Sequence, residues 1–551
     1  MQMKKYKFVL IILLSTFLKV NAQTWQWAKQ GGSTSIDDLG DLCTDANGNA
    51  YVIGSFGFFN PTTGYMIFDN DTVFNNGVNQ IFLVKYSPIG TVLWTKSIGG
   101  NNPNLGNGSY YEGAYKIIYD ISTNSILMTG IFDGTASFGS TTLFGTEDLF
   151  LAKLDLNGNF IWASGIYSNS ADLYCSAIVT DNSGNIFISG GGVDSTFFSP
   201  TSKIPAGGFL AKYNSNGNIL WSKKKFIESY LSKMKIYNND IIALGSTTND
   251  TAQIDTSNYI SNLSFNMFFA RFDTTGTIKW IKYPSSTGIV ATTDMDMDAI
   301  GNFYIAGSFQ SNINFNGNIL NNNNNYDMFF VKYDSNGNVI WLKQANASNT
   351  TSAMRVATTS DGNTYVTGTV TGNATFGSFS INSGANNDKY ISRYNSNGDC
   401  LGVRQLTGVI EPASFRIAAD NTGNCFIAAT FNSQINVGST TLSPINFSDV
   451  FIAKHDVITG IEVEGRIANN HLIIYANPTA GKCNITVPDD FLHEKNLTLS
   501  IYDNTGKLIQ QTTLQMNDGI IKLNLEAEAK GTYNVILSNS SKAYNGKIVF
   551  E

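Results

Sequence analysis

The sequence predicts an all-β protein: a seven-bladed β-propeller closed by its own N-terminal strand, followed by a small second β domain. Three observations predict it. A segment built on one Trp recurs at Trp94, Trp162, Trp221, Trp280 and Trp341, with Gly402 standing in the Trp place of a sixth internal copy. Two other apolar segments recur in fixed order between these copies. A stray copy of the Trp segment, Trp27-Ala28-Lys29, stands near the N-terminus, while the last unit, ending near His455, lacks one. A period of this length marks a repeat architecture, and a chain that opens with the missing piece of its last unit describes a closed ring.

The first segment of each unit reads Asp45-Ala-Asn-Gly-Asn-Ala-Tyr-Val-Ile-Gly-Ser-Phe56 and returns from Asp181, Asp298, Asp361 and Asp420, with looser copies at 120–132 and 237–245. The second reads Ile81-Phe-Leu-Val-Lys-Tyr86 and returns at 149–154, 209–213, 267–272, 328–333, 389–394 and 450–455. Each segment is short, rich in Val, Ile, Phe and Tyr, and bounded by Asn-Gly, Asp-Gly or Ser-Gly, so each predicts a strand. Runs such as Ile-Phe-Leu-Val have no polar face, which places them between two neighbouring sheets. Four-stranded sheets packed radially supply that environment and leave few exposed edges. Counting Trp27 gives seven copies of each segment. In the competing arrangement, Asp456 to Val463 forms the last blade's own outer strand and Trp27 is loose.

The pattern Asp-x-x-Gly-Asn-x-Tyr-Val-x-Gly, then Asp-x-Phe-x-x-Lys-Tyr, then Asn-Gly-x-x-x-Trp, resembles the bacterial β-propeller repeats called SBBP. The resemblance covers roughly residues 23 to 456 and implies a fold, not a reaction.

Residues 1–22 have a basic head (Lys4, Lys5, Lys7), an apolar stretch from Phe8 to Leu18, and the small-residue cleavage site Val20-Asn21-Ala22. That predicts a secretory signal peptide; the apolar run is about half the length a bilayer span needs, and no other span is expected. Residues 23–456 form the predicted propeller and 457–470 a linker. Composition then changes over 471–551, where Ile474-Tyr-Ala-Asn-Pro-Thr-Ala-Gly-Lys482 is followed by Leu499 to Leu508, by Lys530-Gly-Thr-Tyr-Asn-Val-Ile536 and by Gly546-Lys-Ile-Val-Phe550. These pieces closely resemble the C-terminal sorting domain of the type IX secretion system of Bacteroidetes. The resemblance implies an immunoglobulin-like sandwich and the type IX machinery as partner. It also implies Asn477, Pro478, Gly481, Gly506, Gly531, Tyr533, Gly546 and Lys547 as motif residues. Ala476 departs from the family's usual Pro, and Glu-Ala-Glu-Ala replaces its Leu-Ser-rich stretch; neither change touches the Gly and Tyr turn positions.

A net charge of −7 excludes nucleic acid and anionic membrane as natural partners. Cys43, Cys175, Cys400, Cys425 and Cys483 are odd in number and scattered, so they predict mainly buried thiols, not a disulfide framework or zinc site. His455, His471 and His493 are too few for a His-rich metal site, and only His455 touches the propeller. No cofactor motif is present, and the propeller is expected to be monomeric.

Asp-x-Asn-Gly-Asn tips at 155–159 and 334–338 match the opening of a calcium loop, but the next residues enter a strand and offer no further oxygens, so hairpin turns are expected. A basic residue recurs at one place in the second segment: Lys85, Lys153, Lys212, Arg271, Lys332, Arg393 and Lys454. These are expected to pack their stems between blades with the charge paired, rather than converge on a polyanion. Acidic residues precede the turn Asp in several units: Asp38, Glu112, Asp172, Glu228 and Glu411. They are the candidate ligand face at a channel mouth, weighed against a local role pinning each blade's turn. The expectation is a secreted or cell-surface binding or structural module with no catalytic constellation. The alternative is an extracellular carbohydrate-active enzyme, glycosidase or lyase, using mouth carboxylates.

Overall fold

The computed structural model describes residues 25–57, 64–74, 80–99, 113–170, 172–227, 229–247, 253–255, 257–258, 266–322, 325–406, 410, 414–458, 460–464, 472–488, 491–492, 496–503, 507–515, 519–539 and 543–551. Among these, the regular elements are strands. The predicted signal peptide, and with it the secretory leader, lies outside the described residues.

Among the described residues, seven sheets follow one another through the repeat region, each built on four antiparallel strands and most extended at the outer edge by a hairpin or a further strand. Their innermost strands are, in order, Asp37–Thr44, Gly113–Asp120, Tyr174–Thr180, Ser229–Tyr237, Val290–Met297, Thr350–Thr358 and Arg416–Ala419. Each innermost strand touches the next, and the last returns to the first. The burial pattern follows from this. In Gln80–Tyr86 every residue is buried. Phe82, Val84 and Tyr86 enter the apolar core shared with the seventh sheet, whereas Ile81 and Leu83 enter the core shared with the second. Among the described residues seven such inter-sheet cores occur, one for each neighbouring pair of sheets. An apolar run with no polar face is the expected signature of such a strand.

Three strands of the seventh sheet, Arg416–Ala419, Cys425–Phe431 and Asp449–His455, come from the last repeat; the fourth is Trp25–Ser33. It pairs antiparallel with Asp449–His455, setting Trp27 opposite Lys454 and Ala28 opposite Ala453. The segment weighed as a competing outer strand lies elsewhere. Gly460–Glu464, inside the stretch expected to be a linker, pairs parallel with Cys400–Leu406 on the sixth sheet, with Gly460 opposite Gly402. The sixth unit lacks its Trp at Gly402, and the returning chain covers that strand edge instead.

Neighbouring sheets are fastened by one repeated latch. Trp94 Nε1 and Lys85 Nζ both donate to the Leu156 carbonyl of the next sheet's turn, at 3.1 and 2.9 Å. Trp341 and Lys332 do the same to Ser396, at 3.1 and 3.0 Å. At the closure, Trp27 Nε1 and Lys454 Nζ donate to Pro88, at 3.0 and 3.4 Å. The turn receiving Trp27 carries Gly90 at φ +84°, where a Cβ would stand 2.6 Å from the indole. The indole needs a side chain-free turn, and the left-handed backbone favours Gly for a second reason. Outside the sheets, hairpins such as Tyr65–Phe68 with Asp71–Phe74 dock on the preceding sheet's outer strand; Phe68 pairs with Gly31.

The tail holds two further sheets. One is made of Ile473–Tyr475, Lys482–Thr486 and Ile520–Asn524, the other of Leu508–Leu514, Leu497–Tyr502, Gly531–Ser538 and Ala543–Phe550. Ile485 and Leu523 of the first share one apolar core with Leu499, Val535 and Ile548 of the second.

Candidate functional site: a charged belt on the innermost strands

The repeated ionisable groups named from sequence are mostly engaged in structure. The turn carboxylate Asp45 accepts from the Asn47 and Asn49 amides, from Asn49 Nδ2 at 2.7 Å and from the Tyr51 hydroxyl at 3.0 Å. Asp155 and Asp334 are engaged in the same way by Asn159 and Asn338. Burial opposes ionisation of Asp155, yet bonds from Asn159 and Asn157 hold its carboxyl below the usual range. These are Asx turns whose oxygens face their own backbone. The recurring cations pair with the turn acids: Lys85 with Asp45 at 3.9 Å, Arg271 with Asp240 at 2.7 Å and Lys454 with Asp420 at 3.2 Å. Several also lie over the aromatic ring of the adjacent strand, Lys85 over Tyr51 at 5.0 Å for one.

Of the five acids expected at a channel mouth, Glu112, Glu228 and Glu411 lie outside the described residues. Asp38 is exposed, and Thr430 Oγ1 reaches it at 3.4 Å. Asp172 is exposed with its backbone at φ +87°. No described interaction joins the two.

A different column gathers. Each of the first six innermost strands carries a register shift, for example between Leu39 and Asp41 and between Thr292 and Asp294. The residue that follows it lies four before the turn acid in most units, and the column reads Asp41, Lys116, Ala177, Lys233, Asp294, Arg355 and Arg416. Neighbours pair around the ring: Lys233 with Asp294 at 3.2 Å and Arg416 Nε with Asp41 at 3.7 Å. One step further along the strands, Lys235 pairs with Asp296. The acids also join sheets through backbone: the Ile117 amide donates to Asp41 at 3.2 Å, and the Val356 amide donates to Asp294 at 3.1 Å.

Sheets that are not neighbours also interact at this level. Lys116 of the second sheet is influenced by Lys233, Arg416 and Arg355 of the fourth, seventh and sixth sheets. Lys233 is influenced by Asp41 of the first. Charges on non-adjacent members of a ring meet only around its centre. Burial is the main effect lowering Lys116, and the three neighbouring cations outnumber its one acid, Asp41. Burial pushes the Arg416 guanidinium down to about 10, with Arg355 adding to the effect. At Lys233 burial is outweighed by Asp294, Asp41 and Asp296, which raise it; at Asp294 burial is outweighed by Lys233 and Arg355, which lower it. The belt keeps partial contact with solvent: the Lys233 side chain keeps 38% of its exposure and Asp41 20%, whereas Asp294 keeps 6%.

Sequence reading missed this column because its members are of mixed sign and one is Ala. The available signal was its offset of four from the turn acid in five of seven units, with charge in six of seven. Among the described residues no three His, Cys, Asp or Glu side chains cluster as a metal site would require. The five cysteines are free thiols; Cys175, Cys425 and Cys483 are buried.

In the tail, Asn477 accepts from the Val549 amide at 2.8 Å and donates to the Lys547 carbonyl at 2.6 Å, tying the first motif to the last strand. The Gly481 carbonyl accepts from the Leu525 amide at 2.7 Å. The Tyr533 hydroxyl donates to Ala529, and Gly546 has no room for a Cβ beside Ile474. Pro478 follows Asn477 at that junction, and Gly531 opens the strand that carries Tyr533. Gly506 lies outside the described residues.

Residues 473–551 match the family described as the secretion system C-terminal sorting domain. The tail is therefore a sorting domain, and it implies export to the cell surface or secretion through the type IX machinery. Among the described residues no helix is long and apolar enough to cross a membrane. An uncharacterized WD repeat-containing protein of Acanthamoeba polyphaga mimivirus is 23% identical over 66% of this chain, and the match takes in only 33% of that protein's length. Solved structures similar to the chain include the Plexin A4 extracellular region (TM-score 0.40, 8% identity, 94% of this chain and 67% of that one). Puromycin hydrolase gives a TM-score of 0.40 at 9% identity, over 83% of this chain and 60% of that one. Drosophila Semaphorin 2a gives 0.37 at 8%, over 94% and 97%.

Proposed function

We propose that this chain is an exported binding module: a seven-bladed β-propeller whose working surface is the belt on its innermost strands, delivered by an immunoglobulin-like sorting tail. The proposal takes the seven sheets as blades and Trp25–Ser33 as the strand that closes the ring. The observation that carries it is the division of labour among the charges. Turn acids are taken up by their own turns and third-strand cations by latching sheet to sheet, whereas the belt gathers charges from non-adjacent sheets and keeps some of them in contact with water. Concave sites lined by a few convergent charged groups are where ligands bind. The repeats resemble SBBP units, which supports a scaffold role, and the role is non-enzymatic.

A binding screen of the purified chain against glycan and protein arrays tests this reading. Specific, saturable hits weakened by changes in the belt are expected. Turnover of a polysaccharide, lost on Asp38→Asn or Asp172→Asn, would replace it with the carbohydrate-active reading.

A further inference from the structure

We propose that the hub of the ring is a site for one dianionic oxyanion, a sulfate or phosphate group, held by Lys116, Arg355, Lys233 and Arg416. The inference rests on the binding-module reading and names the chemistry of its ligand. Four cations and two carboxylates, Asp41 and Asp294, occupy this level of the ring. The carboxylates are committed: Asp294 to Lys233 and the Val356 amide, Asp41 to Arg416 and the Ile117 amide. Two cations are left over.

Lys116 is half-buried, and among the described residues its ammonium makes no hydrogen bond and no ion pair. Arg355 donates from Nη1 to the carbonyl of its own neighbour, Met354, at 2.7 Å and has no carboxylate within ion-pair distance among the described residues. Buried or half-buried cations are normally paired, because desolvation without a partner is costly. The surplus here faces a centre shared by several sheets, in a protein whose overall charge is −7. A hub with low-dielectric walls concentrates that local positive field, and the guanidinium fork matches the geometry of an oxyanion. A dianion neutralises the excess of two.

The test is isothermal titration of the purified chain with inorganic sulfate, and separately with inorganic phosphate, at fixed ionic strength balanced with chloride. Saturable binding of one ion per chain is expected. Lys116→Gln should weaken it at least about tenfold, and Lys116→Gln with Arg355→Gln should abolish it. Asp41→Asn retains an oxygen for the Ile117 amide while removing a negative charge, so it should tighten binding several-fold even if the cation variants fold poorly. Lys224→Gln, on an exposed outer-strand position, should leave binding unchanged. Heats that do not saturate at constant ionic strength would overturn the site, as would unchanged affinity in both Lys116→Gln and Asp41→Asn. An array ligand whose binding ignores Lys116→Gln would retain the binding-module reading while rejecting the axial oxyanion site.

Discussion

Replacing Trp27 by Ala strikes the closure of the ring at one side chain. The indole stacks on Tyr86 at 6.0 Å between ring centres, meets Phe426 edge-on at 5.9 Å and donates to the Pro88 carbonyl at 3.0 Å. Truncating a fully buried Trp to Ala costs about 3–5 kcal/mol. Trp27 is half-buried, so roughly half of that applies, about 2 kcal/mol, with about 1 kcal/mol more for the lost hydrogen bond. The expected loss is about 3 kcal/mol. For a ring of roughly 440 residues unfolding as one unit, the unfolding entropy is about 0.9 kcal/mol/K, so Tm should fall by about 3 °C. Calorimetric melting of the variant beside Trp162→Ala and Leu93→Ala measures it. Trp162 makes the same latch inside the repeat, donating to Ser215 at 3.1 Å, and Leu93 is exposed. If the N-terminal strand is a full member of the seventh sheet, Trp27→Ala should match Trp162→Ala. Melting indistinguishable from Leu93→Ala would refute the reasoning.

At the same seam, Asp37 is fully buried and its carboxyl is pushed up to about 8, chiefly by burial and in part by Asp449, against the bonds from Ser33. The folded chain then holds a proton that the unfolded chain has released, so stability should fall as pH rises from about 4 to about 8, by up to roughly 1.4 kcal/mol per pH unit. Asp37→Asn should flatten that slope in urea titrations, and an unchanged slope would reject the assignment. Gly217→Ala should destabilise by about 1–3 kcal/mol, because φ is +80° and the new Cβ would stand 2.7 Å from the Trp162 ring; a neutral result in urea would show that the latch yields. Removing residues 473–551 should retain the protein in the periplasm of its native host, read by cell fractionation; continued surface appearance would reject the sorting role.

The strands were legible in the sequence because their signals are local. Asn-Gly turns fix their ends, and runs such as Ile81 to Val84 can be buried on both faces only between sheets. The N-terminal closure was legible because Trp27 fills a vacancy in a counted repeat. The docking of Gly460–Glu464 was not, since parallel pairing to a strand some 60 residues earlier leaves no local mark; Gly402 in the Trp place was the hint. The charged belt was not legible at all. Asp38 and its counterparts share a sign and so catch the eye, whereas Asp41, Lys116, Lys233, Asp294, Arg355 and Arg416 share only a position. What unites them is a centre that exists only once the ring closes.

Hydrogen exchange of the amides in Trp25–Ser33 tests the central claim most directly. Paired with Asp449–His455, these amides should be protected as strongly as those of the internal outer strand Phe160–Ser168. Exchange at the rate of an unstructured chain, with the Asp449–His455 amides exposed beside it, would contradict a ring closed by its own first strand.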